Sequence, residues 1–182
     1  MKKVLSQLAL SLTAMWAVSV QAADITVENA AGKQVVPQNP QRVVVLDFGA
    51  ADTIRALGAT DKIVGFPQSG KIPEYIAEFG DKKFTNVGDL KEQSLEKINE
   101  LNPDLIIASK RQEKMIDKFK EIAPVFNFEN DYNDYYGSFQ QNVRALGKIF
   151  DKQKVADEKL AALESKVAQV AQDAKGKTAL LV

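Results

Sequence analysis

Apolar positions change their period several times along the chain. From Ile25 to Val36 they alternate with polar ones around the turn residues Asn29 to Gly32, which predicts a short β-hairpin stopped by Pro37 and Pro40. Beyond it, unbroken apolar runs of strand length take turns with segments of helical period. Strands are predicted over Arg42–Leu46, Lys62–Phe66, Thr85–Val87, Asp104–Ala108 and Val125–Phe128. Helices fall between them over Ala50–Leu57, Pro73–Phe79, Leu95–Leu101 and Arg111–Ile122, ended by Gly58, Gly80, Pro103 and Pro124. The strands are β-branched and apolar at successive positions, so both faces of their sheet are buried. With helices in every connection, the sheet is mainly parallel and the class is α/β, a Rossmann-like lobe.

Two longer helical segments follow, Ser138–Phe150 and Asp151–Lys175. In the second, Ala156, Leu160, Leu163, Val167, Val170 and Ala174 recur at spacings of four and three, so they form one stripe read as a packing face. Gly176 closes it, and Lys177–Val182 has the pattern of a strand beginning. The expectation is a chain whose next lobe is missing. At the other end, Lys2 and Lys3 precede the apolar run Val4–Val20, and Val20-Gln21-Ala22 forms a small-x-small pattern before Ala23. That is the pattern of a secretory signal peptide cut after Ala22. The predicted organisation is a leader over 1–22, an α/β ligand-binding lobe over 23–150, a spanning helix over 151–175 and the start of a further lobe over 176–182.

Charge changes this picture little. Lys plus Arg and Asp plus Glu number 24 each, and loss of Lys2 and Lys3 with the leader leaves 22 basic against 24 acidic residues. No basic run interleaved with aromatics is present, which argues against a nucleic-acid partner. The absence of cysteine matters more: it excludes a disulfide framework and a lipid-modified cysteine at the cleavage site, and so points to a protein free in a periplasm. The absence of histidine removes the commonest metal ligand and general base. Ser69 or Ser109 as an enzymatic nucleophile lacks a base and an elbow motif.

Ligands of an open parallel sheet bind outside the carboxyl ends of its strands. Those ends are Asp47–Gly49, Phe66–Gly70, Gly88–Leu90 and Ser109–Gln112. The last places Lys110 and Arg111 with a hydroxyl and an amide at a predicted helix start, where free N–H groups also favour an anion. The same residues fit a solvated basic pair. Asp131, Tyr132, Asp134, Tyr135 and Tyr136 are read as a loop and helix start, with Asp131 or Asp134 as the cap.

Several spaced motifs carry a resemblance. Pro40–Asp47 followed by Asp52-Thr53 and Leu57-Gly58, Val87-Gly88 followed by Ser94–Ile98, Leu101–Ile107, Glu121–Pro124, and Ser138-Phe139 with Asn142, Leu146-Gly147 and Ile149-Phe150 together resemble iron-siderophore-binding proteins of ABC importers. Ser109–Gln112 is most similar to the branch that takes ferric catecholates of the petrobactin and enterobactin type. The resemblance implies the helical-backbone fold, two α/β lobes joined by one long helix with the ligand between them. It implies a monomeric periplasmic binder, not an enzyme. The ligand is an iron(III)–siderophore complex, with no resident cofactor and no protein ligand to the metal. Arg111 is then expected to pair with and stack on the chelate, with Lys110 as a nearby charge. Ser109, Gln112, Phe48, Gln68, Ser69, Asp89 and Leu90 are expected on the same rim. Glu96 matches the position that docks on the inner-membrane permease, and the same residue also suits a helix-start dipole. Two other readings remain: a binder of the same fold for haem, cobalamin or another chelate, and an interaction protein working through Leu160, Leu163 and Val167.

Overall fold

The computed structural model describes residues 23–178. The alternating segment at its start forms the antiparallel hairpin of β1 (Asp24–Asn29) and β2 (Gly32–Pro37). The apolar runs become β3 (Val43–Val45), β4 (Ile63–Phe66), β5 (Thr85–Asn86), β6 (Leu105–Ser109) and β7 (Val125–Phe128). These five pair in parallel, in the order β5-β4-β3-β6-β7. Helices α1 (Phe48–Ala56), α2 (Leu95–Glu100), α3 (Ile116–Lys120), α4 (Tyr135–Ile149) and α5 (Gln153–Asp173) complete the α/β lobe. None of the helices among the described residues is long and apolar enough to cross a membrane.

Both faces of the sheet are covered, as the doubly apolar strands require. Val43, Val45, Leu105, Ile107 and Phe126 point to one side, where they meet Ile54 of α1, Leu146 and Ile149 of α4, and Leu160 of α5. Val44, Leu46, Ile106 and Ala108 point to the other, against Ile98 of α2 and Phe119 of α3. Successive strand residues therefore feed two separate cores. Each large side chain buried in this way contributes on the order of 1.5–3 kcal/mol.

The outer edge of β7 is closed by side chains instead of a strand. Gln34 on β2 accepts from the Asn127 N–H at 2.6 Å through Oε1 and donates to the Asn127 carbonyl at 3.3 Å through Nε2, so its amide stands in for a neighbouring peptide group. Asn29 adds a donor to the same carbonyl at 2.8 Å.

Two predicted helices differ from the structure. Pro73–Phe79 is a 3₁₀ segment, Glu74–Gly80, with a kink at Ile76 (φ −127°, ψ 27°). Its buried residues, Ile76 and Phe79, are three apart, the spacing that a three-residue turn aligns. Arg111–Ile122 divides into a 3₁₀ segment, Lys110–Met115, and the five-residue α3, because Gln112 turns inward with φ −101° and ψ 15°. The dipole of a full α-helix behind Lys110 and Arg111, expected from the sequence, is therefore absent. The helix predicted from Ser138 starts three residues earlier, where Asp134 caps it by accepting from the Gly137 N–H at 3.1 Å. Asp151, at φ 53°, separates α4 from α5.

The α5 stripe packs over only part of its length. Ala156 and Leu160 are buried and Leu163 is half-buried, whereas Val167 and Val170 are 45% and 63% exposed. The packed end crosses α4 closely: a Cβ on Gly147 would lie 2.8 Å from that of Ala156. The predicted leader over 1–22 lies outside the described residues, as does the end of the strand predicted from Lys177.

Candidate functional site

Parallel pairing sends every strand's carboxyl end to one rim, and the strand order reverses between β3 and β6, where the chain leaves β3 toward opposite sides of the sheet. Such a switch point opens a crevice. Here the crevice is a cavity of ≈ 500 Å³, lined from β3 by Asp47 and Gly49, from β6 by Ser109, Lys110 and Arg111, and from β7 by Phe128, Glu129 and Asn130, with Tyr132 and Tyr135 at its margin. A second, more polar cavity of ≈ 350 Å³ adjoins it. The two share Lys110, Glu129, Asn130 and Tyr132, and Asp131, Asp134 and Ser138 lie beyond.

The two cations differ. Lys110 is exposed, and its Nζ lies 3.5 Å from Glu129 Oε1. Arg111 is exposed as well, and among the described residues its guanidinium makes no hydrogen bond or ion pair, which leaves its planar fork open to a ligand. Asp47 is taken up locally: its Oδ1 accepts from the N–H groups of Gly49 at 2.8 Å and Ala50 at 3.0 Å, capping α1.

Ser109 and Gln112 are internal. Gln112 is 1% exposed; its Oε1 accepts from the Ser109 N–H at 3.0 Å and the Ser109 hydroxyl at 3.2 Å, and its Nε2 donates to the Leu90 carbonyl at 2.7 Å. A polar side chain so buried needs all of these partners. Gln112 thus ties the segment carrying Arg111 to the β5–α2 loop, and it positions the cations without facing the cavity.

The remaining sequence candidates do not line the larger cavity; all but Glu96 sit at strand ends. Asp89 closes its own loop: its Oδ1 accepts from the N–H groups of Lys91 and Glu92 at 2.6 and 2.8 Å. The bonds from Glu92 and then Lys91 hold its carboxyl below the usual range. Leu90 contributes its carbonyl to Gln112. Gln68 donates to the carbonyls of Phe79 at 2.7 Å and Asp81 at 3.1 Å, which anchors the 3₁₀ segment. Ser69 is exposed and meets the Asn86 side chain. Phe48 is half-buried and stacks on Phe66 with centroids 5.3 Å apart. Glu96 is exposed in the first turn of α2, behind the Ser94 cap.

Sequence reasoning missed the contribution of β7. Glu129, Asn130, Tyr132 and Tyr135 follow the fifth strand, and the strand-end rule applied to that strand finds them. Tyr132 and Tyr135 are 85% and 57% exposed. Asp134 does cap α4, but the aromatic residues around it are also part of the rim. A buried amide chain fixes this segment: Asn29 Nδ2 donates to Asn142 Oδ1 at 2.8 Å, and Asn142 Nδ2 donates to the Glu129 carbonyl at 2.8 Å and to Asn130 Oδ1 at 2.9 Å.

A sequence profile described as "Periplasmic binding protein" matches residues 43–182. The petrobactin-binding protein YclQ of Bacillus subtilis is 41% identical over 140 residues, covering 77% of this chain and 44% of the relative. The YclQ crystal structure superposes with a TM-score of 0.80 at 39% identity, over 84% of this chain and 54% of that one. The periplasmic catecholate-siderophore binding protein VctP of Vibrio cholerae superposes with a TM-score of 0.76 at 31% identity, over 84% and 55%. The chain spans about half the length of the relatives it matches.

Proposed function

The chain belongs to the periplasmic binding protein family, and from that premise we propose that it supplies one wall of a cleft that captures a ferric catecholate siderophore for an ABC importer. The observation that carries the reading is the guanidinium of Arg111, unpaired among the described residues, at the sheet's switch point, where exposed Tyr132 and Tyr135 line the same cavity. A ferric tris-catecholate is a polyanion with aromatic rings at its periphery. A guanidinium answers both properties, by charge-assisted hydrogen bonds and by stacking. Tyrosine faces add flat apolar area at low entropic cost. The chelate fills the iron's coordination sphere, so a chain without histidine or cysteine is suited to carrying it. Binding to petrobactin in YclQ supports the same ligand class.

In this reading residues 23–150 are the ligand-binding lobe, residues 151–175 span toward a second lobe, and residues 176–182 begin it. The protein is a monomeric periplasmic binder and performs no chemistry on its cargo. Phe48, Gln68, Ser69, Asp89 and Leu90 shape the rim from neighbouring strand ends, and Ser109 and Gln112 hold the cations in place.

Titration of the chain with a ferric catecholate, followed by intrinsic fluorescence, tests the reading. Three of the four tyrosines, Tyr132, Tyr135 and Tyr136, lie in the rim segment. Saturable quenching by the catecholate is expected. Saturation by haem or cobalamin with none by the catecholate would overturn the ligand class.

Glu96 provides the docking contact. It is exposed on α2 and does not line the ligand cavity. Glu96→Arg is expected to leave chelate affinity unchanged and to abolish most iron uptake by cells that depend on the variant. Unimpaired uptake would remove Glu96 from the permease contact.

A further inference from the structure

Glu129 occupies the place that an anionic ligand needs. Its Oε1 lies 3.5 Å from Lys110 Nζ, and it lines both cavities. The lysine side chain is 64% exposed, the glutamate only 25%. Its other carboxylate oxygen accepts from Asn127 Nδ2 at 3.4 Å. Its carbonyl is held by Asn142, which is fully buried and is itself held by Asn29. The sheet edge and the hairpin thus fix the main chain of Glu129, and its carboxylate lies between Asn127 Nδ2 and Lys110 Nζ.

We propose that Glu129 is a specificity-determining residue, an internal anion that competes with the ligand for Lys110. The inference rests on the anionic-chelate reading above. Lys110 is already paired with Glu129, so a small, weakly charged anion gains little by entering. A polyanionic chelate reaches Arg111 and Lys110 together and can displace the carboxylate. Affinity for an anionic chelate is then set below what two free cations would give, and a neutral chelate does not sense the pair.

The experiment measures affinities by calorimetry on the full chain, for a trianionic ferric tris-catecholate and a neutral ferric tris-hydroxamate. Glu129→Gln is expected to tighten catecholate binding by up to about fivefold, the range of an exposed ion pair, and to leave the hydroxamate unchanged. In a Lys110→Gln background the gain should vanish, because no cation remains to be released. An equal gain in both backgrounds would overturn competition for Lys110 in favour of plain repulsion by Glu129. Equal changes for both chelates, or a lowered thermal midpoint with no gain in affinity, would reduce Glu129 to a structural residue. If the unaltered chain binds neither chelate, the proposed function falls and this inference with it.

Discussion

Gly88→Ala is expected to lower stability by about 3 kcal/mol, combining backbone strain with overpacking, and to shift the urea midpoint accordingly. Gly88 has φ +116°, and a Cβ there would lie 2.3 Å from the Glu92 carbonyl oxygen and 3.1 Å from Gln93 Cα. Both obstacles are main chain, so no side chain can swing aside. The turn cannot open cheaply either: Gly88 bridges to Gln93, and its carbonyl accepts from the Ser69 N–H at 2.9 Å. Gly58 is the natural control. It too has positive φ (+75°), but a Cβ there meets nothing within 4 Å, so alanine at Gly58 should cost only the backbone term, about 1 kcal/mol. Equal effects at the two positions would mean that the 88–93 turn rearranges freely. Damage at Gly88 should also reach the site, since the same turn presents the Leu90 carbonyl that holds Gln112.

Arg111→Ala should weaken binding of a ferric catecholate on the order of 10- to 100-fold, the loss that follows from removing charge-assisted hydrogen bonds of about 1.5–3 kcal/mol. Folding should be untouched, because the side chain is exposed and takes no partner among the described residues. Arg111→Lys should recover only part of the loss, since an ammonium supplies charge without the planar fork or the stacking face. Full recovery by lysine would show that charge alone matters, and no loss on truncation to alanine would place the ligand elsewhere on the rim.

The centre of the sheet was legible in the sequence because its strands β3 and β6 are short apolar runs buried on both sides, a pattern that surface helices do not produce. Val43–Val45 and Leu105–Ser109 illustrate it: each is buried throughout. Parallel pairing then put the strand ends on one rim, whereas the strand order β5-β4-β3-β6-β7 came only with the structure. What was not legible were contacts made at a distance. Gln112 reads locally as one more polar residue beside Lys110 and Arg111, and only its partner Leu90, 22 positions earlier, shows that it faces inward. Asn29 and Asn142 look like a turn residue and a helix polar residue, yet they bond across 113 positions and set the height of Glu129. Periodicity likewise could not distinguish the packed end of the α5 stripe from Val167 and Val170, since the same spacing continues through both.

The amide of Gln34 has a consequence for the order in which the chain matures. It reaches Asn127 across 93 positions, so a chain made from its amino end produces the seal long before the edge that the seal covers. Contacts of such sequence separation form late, after the intervening loop has closed. Until then β7 presents unpaired main-chain groups, which attract any extended segment nearby. The hairpin, though it precedes the sheet in the sequence, thus finishes the sheet's edge last.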